Sequence, residues 1–571
     1  MRALLALLVF AAAAPAAAKP APVRVKARVA TKAAPTRMKA PTLGTDTQTF
    51  AIGGDVRSIK DLVGKQAAGL SVAEETASKI AKLLRGPLRN ADTGLYVADA
   101  RSGQMLFAVN ADERLNPASN VKMISTATSL ELLGPTFRYP TRLLGPLPQD
   151  GVVHGDVYLL GSYDPTLTAA DLVEIADAVA ARGVTSIEGS IVIGADPTRD
   201  GIYRALIPVE ITGGEAGQPA IATSPTGGDL VSITMNAKTS GAGTRPRLAY
   251  KLETTTNAAG LPRIHVTIAG AIGKGVKTTY PIATRERTAT AGYALKSALV
   301  AHGIRVTGDL KVHELAAFVG DTVAGGSMPL ELGRHESLPL AAIVTQVNKW
   351  SINWLADRVV MTAAALTHQQ PPSMDLALEA MYAWLGRHAH LGKSDLLVDT
   401  GSGLSYHTQI SPTELVAVVR SAAGYGLDLD PAIGAAWMGS LSIAGTDGTL
   451  RHRVRGADVR VRVRGKTGTL STAIAMSGLV DVDPEHPIVF SLVTNTKRPL
   501  SKAAVRRAHD QVVGALCSYV ARTSKAPVAN PLTLTPAQAP APELAPPPGE
   551  DGEEAGHDRD PALDAETSGQ Q

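Results

Sequence analysis

The chain is short of several things, and each shortage removes a class of explanation. Cys517 is the only cysteine in 571 residues, so an intramolecular disulfide is excluded, and so is a lipid-modified N-terminal cysteine. Beyond the first eighteen residues no stretch is apolar for long enough to span a bilayer. Zinc-protease spacing is absent: His335-Glu336 is followed at position 339 by Pro339 where a second histidine is needed. Gly465-Lys466-Thr467 looks like the end of a phosphate-binding loop, but the glycine required five residues earlier is Arg460. His388 and His390 find no further ligands at metal spacing and are assigned to the surface. No metal and no cofactor is expected.

Acids are missing from one end and concentrated at the other. From Lys19 to Thr45 the chain is rich in Ala and Pro and carries Lys19, Arg24, Lys26, Arg28, Lys32, Arg37 and Lys39, with no acid before Asp46. Such a leader either adheres to an anionic wall or membrane surface or is a solvated linker. Residues 523–571 reverse the sign with Glu550, Asp551, Glu553, Glu554, Asp558 and Asp560, a composition that predicts a disordered tail. The opposite ends nearly cancel, so the net charge of +4 is no argument for nucleic acid, and no such partner is expected. Ahead of the leader, Met1-Arg2, an apolar run from Ala3 to Ala14 and Ala16-Ala17-Ala18 read as a signal peptide over residues 1–18. The alternative is a retained N-terminal anchor. With the signal removed, the protein is expected to be exported and to have no transmembrane anchor.

Between the ends, the first chemical signal is Ser119, three residues before Lys122. Apolar residues at Val121, Ile124, Ala127, Leu130 and Leu133 recur at helical spacing until Gly134-Pro135, so serine and lysine share one face at the start of a helix. A lysine there can reach the hydroxyl and activate it as a nucleophile. The plain alternative is a helix-capping serine beside a solvated lysine. Two later stretches bear on the choice. Lys466-Thr467-Gly468 follows a run in which Val459, Val461 and Val463 alternate with Arg460, Arg462 and Arg464, the period of a half-buried strand. Ser351-Ile352-Asn353 lies between. S-x-x-K, S-x-N and K-T-G in that chain order resemble the motif set of penicillin-binding proteins and serine β-lactamases.

The spacing sorts the resemblance further. Roughly 230 residues separate Lys122 from Ser351, enough for a domain or more, and a large insert there resembles the class C low-molecular-mass penicillin-binding proteins, the D-Ala-D-Ala carboxypeptidase/endopeptidases of the peptidase S13 family. The likeness extends through the hairpin before Ser119, through Gly161 to Leu167 (G-S-Y-D-P-T-L), Tyr293 to Gly308, Gly401-Ser402-Gly403-Leu404-Ser405 and Gly445 to Leu450. It fades from Arg199 to Thr226, where an expected tryptophan and its aromatic neighbours are missing.

What the resemblance implies is specific. Ser119 is the acyl-accepting nucleophile and Lys122 its base, provided burial and a second cation, Lys466, lower the lysine's proton affinity. The backbone N–H groups of Ser119 and Thr469 form the oxyanion hole, and Lys466, Thr467 and Thr469 around Gly468 hold the substrate's terminal carboxylate. Ser351 relays a proton to the leaving group, while Asn353 fixes the acyl donor's backbone. Substrates are peptidoglycan stem peptides, and β-lactams are covalent inhibitors. Ile352 departs from the more usual polar residue of the motif. Asp164 either meets the free amine of the stem peptide's diamino acid or caps a turn before Pro165.

The fold expected is α/β of the transpeptidase-like type: an antiparallel sheet covered by helices, from residues 47–144 and 323–522, with a β-rich insert over 145–322. Strands are expected at Thr93–Ala100, Gln104–Asn110, Val157–Leu160, Ser190–Ile193, Leu230–Met235, Arg247–Leu252, Ile264–Ile268, Ser477–Asp481 and Ile488–Thr494. Helices are expected at Val72–Leu84, Leu172–Ala181 and Lys502–Val520. Two other functions stay open at this level: a serine β-lactamase, and a pseudo-peptidase that binds peptidoglycan without turning it over.

Overall fold

Ala473–Asp481 and Ile488–Asn495 read as nearly unbroken apolar runs because both of their faces are covered. Ile474, Met476, Val480, Phe490 and Leu492 face one hydrophobic core, while Ala475, Leu479, Val489 and Val493 face another. The computed structural model describes residues 49–64, 70–194, 207–225, 227–257, 261–282, 287–313, 330–425, 429–455, 461–481, 487–497 and 501–524. The expected signal peptide and basic leader, the tail from 525, and residues 195–206 and 314–329 of the insert region lie outside them.

The two central strands belong to an eight-stranded sheet in which every neighbouring pair is antiparallel. Its order is Ser442–Ile443, Arg462–Thr469, Ala473–Asp481, Ile488–Asn495, Asp92–Asp99, Met105–Val109, Thr49–Ile52 and Asp55–Ser58. Under one face lie the helices Val72–Arg85 and Lys502–Thr523. A capping box between Ser71 and Glu74 starts the first, and Val505, Val512, Val513, Leu516 and Val520 of the second are all buried, as their spacing predicts. The other face carries Lys122–Leu133, Leu340–Trp350, Asn353–His368 and Pro412–Ala422.

The helix after Ser119 is covered all round at its start. It has no solvent face over its first nine residues: everything from Lys122 to Leu130 is buried, because the helix runs through the middle of its layer. Its hydroxyls are accommodated by bonding back one turn, Thr126 to the Lys122 carbonyl at 2.6 Å, Thr128 to Ile124 at 2.9 Å and Ser129 to Ser125 at 2.7 Å. Gly134, at φ 83°, ends it where the sequence placed the stop.

The insert has its own core. Pro140–Gly145, Val157–Leu160, Ile191–Gly194, Leu310–His313 and Leu330–Glu336 make a mixed five-stranded sheet, and Asp171–Ala181 and Arg287–Ala301 pack with it. Three further three-stranded sheets complete the β-rich part. The strand Pro140–Gly145 pairs antiparallel with Leu330–Glu336, from Pro140 opposite Glu336 to Gly145 opposite Leu330. Both strands, apart from Gly145, fall on the catalytic side of the boundaries drawn at 145 and 322. Leu143 and Leu332 belong to the insert's core, whereas Tyr139 and Leu340 belong to the catalytic one. We therefore place the junctions at Tyr139/Pro140 and Glu336/Ser337, where the Tyr139 N–H donates to Ser337 Oγ at 2.9 Å. His388 is also not at the surface in the sense expected: its ring is largely covered and pairs with Glu131 at 3.0 Å.

Candidate active site

The strand Arg462–Thr469 is covered on its outer side by the two-residue strand Ser442–Ile443, which pairs with Gly465 and Arg464. Beyond that point the turn carrying Ser119 packs against it, and two glycines make the approach possible. A Cβ on Gly468 would lie 2.4 Å from the Pro117 carbonyl oxygen and 3.1 Å from the Ser119 nitrogen; one on Gly403 would lie 2.1 Å from the Ala118 carbonyl oxygen. Between them Ala118 adopts a left-handed φ of 49°, an unfavourable conformation held by its surroundings. Its N–H donates to Asn116 Oδ1 at 2.8 Å, and Asn116 is gripped in turn by Asn495, whose Oδ1 accepts the Asn116 N–H at 2.7 Å and whose Nδ2 donates to the Asn116 carbonyl at 3.0 Å. A short 3-10 turn, Ala118–Val121, then feeds the helix at Lys122. Asn120 ties that turn to the sheet by donating to Ser477 Oγ at 2.8 Å.

Ser351 and Asn353 come from a corner between two helices. Leu340–Trp350 ends at Ser351 in the left-handed region (φ 60°), and Asn353 opens the next helix. Ile352 between them is buried in the core with Leu355 and Val359, so its apolar side chain turns away while the polar residues on either side reach inward.

The structure brings five of the expected residues into direct contact as two groups. Lys122 Nζ donates to Ser119 Oγ at 3.0 Å, to Asn353 Oδ1 at 2.5 Å and to the Ser402 carbonyl at 2.8 Å. Lys466 Nζ donates to Ser351 Oγ at 2.7 Å and to the Thr467 carbonyl at 2.8 Å. Both lysines are fully buried, which rules out the solvated-lysine reading. The partners of Lys122 suit a base: when neutral, its two N–H groups satisfy Asn353 and Ser402, and the lone pair is directed at the Ser119 hydroxyl. Thr467 Oγ1 pairs with Thr449 Oγ1 at 2.8 Å, and Thr469 Oγ1 accepts from Arg506 at 3.2 Å. Arg464, two residues before Lys466, sits where burial and Arg462 pull its pKa below the usual arginine value.

Asp164 lies in the insert, and its hydrogen bonds are those of a turn. Its Oδ1 accepts from the N–H of Thr166 at 2.8 Å and from its hydroxyl at 2.7 Å, while Oδ2 is buried without a partner. Burial pushes the carboxyl up to about 6 against the pull of those Thr166 bonds and of His335.

Several contributors escaped the sequence reading. Ser402 presents a backbone atom, which no side-chain motif can flag. Asp357, one helical turn after Asn353, feels the Lys122 charge and accepts bonds from Ser402 and Gly401; burial nevertheless raises its pKa. Its spacing from Asn353 was the available signal. Asn120 acts through a partner 357 residues away in the chain, and Arg506 through one 37 residues away on a different element.

A buried amine able to take a serine's proton, with a second buried amine holding a second serine, is equipment for acyl transfer through a serine ester, and the sheet and helices around it have the transpeptidase and β-lactamase architecture. The D-Ala-D-Ala carboxypeptidase 3 (S13) family matches residues 76–519, and the chain belongs to that family. It is 27% identical over 464 residues to the D-alanyl-D-alanine carboxypeptidase of Actinomadura sp. (strain R39), covering 74% of this chain and 81% of that one. It is 25% identical over 457 residues to carboxypeptidase DacB of Mycolicibacterium smegmatis, covering 76% and 84%. The crystal structure of penicillin binding protein 4 from Haemophilus influenzae, complexed with a novel β-lactam, superimposes at a TM-score of 0.55 and 19% identity, over 77% of this chain and 99% of that one. At that identity the superposition bears on the fold alone. The protein is a serine-type D-Ala-D-Ala carboxypeptidase. Among the described residues no helix is long and apolar enough to cross a membrane.

Proposed function

We propose that the protein acts on peptidoglycan stem peptides outside the cytoplasm of a bacterium, in the periplasm or cell-wall space, after removal of residues 1–18. Ser119 Oγ attacks the carbonyl carbon of the penultimate D-alanine while Lys122 Nζ takes the hydroxyl proton. The oxyanion of the tetrahedral intermediate is held by the N–H groups of Ser119 and Thr469. As the C–N bond breaks, the leaving amine receives a proton through the Ser351 hydroxyl, which Lys466 orients. Water then adds to the ester, and the same groups return the serine. Thr467, Thr469 and Lys466 hold the terminal carboxylate, Gly468 lets the acylated turn lie against the strand, and Asn353 steadies the acyl donor. Asp164 Oδ2 is the candidate partner for the free amine of the stem peptide's diamino acid. β-Lactams would acylate Ser119 by the same route.

The observation that carries this reading is the Lys122 amine held between Ser119, Asn353 and Ser402. The test is intact mass after penicillin treatment, together with digestion of cross-linked muropeptides. The wild type should gain one penicillin mass slowly released and should free D-alanine or cut D-alanyl cross-links, while Ser119→Ala does neither and stays folded. Fast release of hydrolysed penicillin would make it a β-lactamase. Failure of the wild type to form an adduct would make it a binding protein.

A further inference from the structure

Two threonines flank Gly468, and their hydroxyls are wired differently. Thr467 Oγ1 donates to another hydroxyl, Thr449 Oγ1, at 2.8 Å, so its hydrogen is already engaged within the protein. Thr469 Oγ1 instead takes a hydrogen bond from the guanidinium Nη2 of Arg506 at 3.2 Å. A guanidinium has no acceptor and keeps its charge at any accessible pH, so that bond has one polarity. The Thr469 oxygen must accept from Arg506, and its own O–H is left to donate elsewhere. A donor polarised by a neighbouring cation is a better partner for an anion than a neutral hydroxyl is.

Arg506 is also well held. It lies in the first turns of the helix Lys502–Thr523, and Arg453 grips the same stretch twice. Arg453 Nη2 donates to the Arg506 carbonyl at 3.2 Å, and its Nε pairs with Asp510 at 2.9 Å. This anchors the turn carrying Arg506 to the loop before the Arg462–Thr469 strand.

We propose that Arg506 is a positioning residue for substrate selection: it commits the Thr469 hydroxyl to donating and places a permanent positive charge behind it, so that the site favours peptides ending in a free carboxylate. The inference rests on the reading that Thr469 contacts that carboxylate. Arg506 itself does not touch substrate. Its effect is expected in the discrimination between a peptide with a terminal carboxylate and the same peptide ending in an amide or ester.

The experiment measures kcat/KM of the full chain on a D-alanyl-D-alanine peptide with a free carboxylate and on its C-terminal methyl ester. The variants are Arg506→Gln, Arg506→Lys, Thr469→Val and the Gln/Val double variant. Arg506→Gln should lower kcat/KM for the free acid by roughly ten- to thirtyfold, the scale of one charge-assisted hydrogen bond. The ester should change by less than about threefold on the same grounds. Arg506→Lys keeps the charge and should recover part of the loss, whereas a purely structural role for the guanidinium would affect acid and ester alike. In the Thr469→Val background, Arg506→Gln should cost the free acid little more, because the hydroxyl it works through is gone. If Thr469→Val leaves acid-over-ester discrimination intact, the reading of Thr469 fails. If Thr469→Val abolishes it while Arg506→Gln leaves it unchanged, or lowers both substrates equally, the assignment of Arg506 is overturned. Thermal unfolding of each variant identifies loss of fold, and Arg506→Lys decides the matter if the glutamine variant does not fold.

Discussion

Replacing Gly468 with alanine tests whether the nucleophile turn is set by its contact with the K-T-G strand. Gly468 is not among the residues at positive φ, so alanine meets no backbone strain there and acts only through volume. Its Cβ would stand 2.4 Å from the Pro117 carbonyl oxygen and 3.1 Å from both Ala118 Cβ and the Ser119 nitrogen. Restoring a tolerable separation requires the turn or the strand to give by roughly 0.6 to 1 Å, and overpacking of this kind usually costs about 1–3 kcal/mol. The functional loss should be larger than the stability loss. A displacement near 1 Å of a reacting group costs about a hundredfold in rate, and Ser119 must stay within reach of Lys122 Nζ, now 3.0 Å away. The assay is the second-order rate of labelling by a fluorescent penicillin, with thermal unfolding alongside. Expected is a fall of about two powers of ten in labelling with a melting temperature lower by roughly 2–10 °C. Gly514→Ala is the control: it lies in the helix Lys502–Thr523 with nothing within 4 Å of a new Cβ, and should be neutral or slightly stabilising. Labelling of Gly468→Ala within threefold of wild type at an unchanged melting temperature would refute the argument that this glycine makes room for the turn.

Asp164 and His509 should give the two domains opposite pH dependences. The folded-state pKa of Asp164 is raised from 3.8 to about 6, so the native insert binds a proton that the unfolded chain has released. Its stability should fall as pH rises from about 4 to 6, by up to about 3 kcal/mol, and Asp164→Asn should stabilise at pH 7.5 but not at pH 4; an equal effect at both values in urea unfolding would contradict this. His509 is fully buried, hydrogen-bonded through Nε2 to Thr494 at 2.8 Å, and held by burial and then by Arg453 at a pKa near 3 instead of 6.5. The catalytic domain should therefore be fully stable above pH 6.5 and lose roughly 3 kcal/mol by pH 4.5, and His509→Gln should flatten that acid limb; an unaltered acid midpoint would exclude the histidine as its source. Excising residues 140–336 and joining Tyr139 to Ser337 through a short glycine linker should leave a folded core that penicillin still acylates, because the Tyr139 and Ser337 backbones already hydrogen-bond each other at 3.1 Å. A truncated protein folded by circular dichroism yet inert to penicillin would mean that the insert helps to build the groove.

Much was legible in the chain itself wherever the information is local. Helical spacing from Val121 to Leu133, alternation in the Val463 region and the stop at Gly134 reflect geometry that a few neighbouring residues determine. Spacing also put Ser119 and Lys122 on one face, and the three motifs in order pointed to the chemistry. Local pattern does not record that this helix is covered all round at its start: its Ser and Thr hydroxyls bond to carbonyls a turn back and so can be buried. The insert's edges are not set by local pattern either, since Pro140–Gly145 pairs with a strand almost two hundred residues away. Only the tertiary structure decided that Lys122 is dry and faces the Ser402 carbonyl, that Gly403 and Gly468 close on a left-handed Ala118, and that Arg506 stands behind Thr469. Each of these is a close approach between different elements of the fold. Such a contact depends on how whole sheets and helices pack, which no spacing of residues along one strand or helix records.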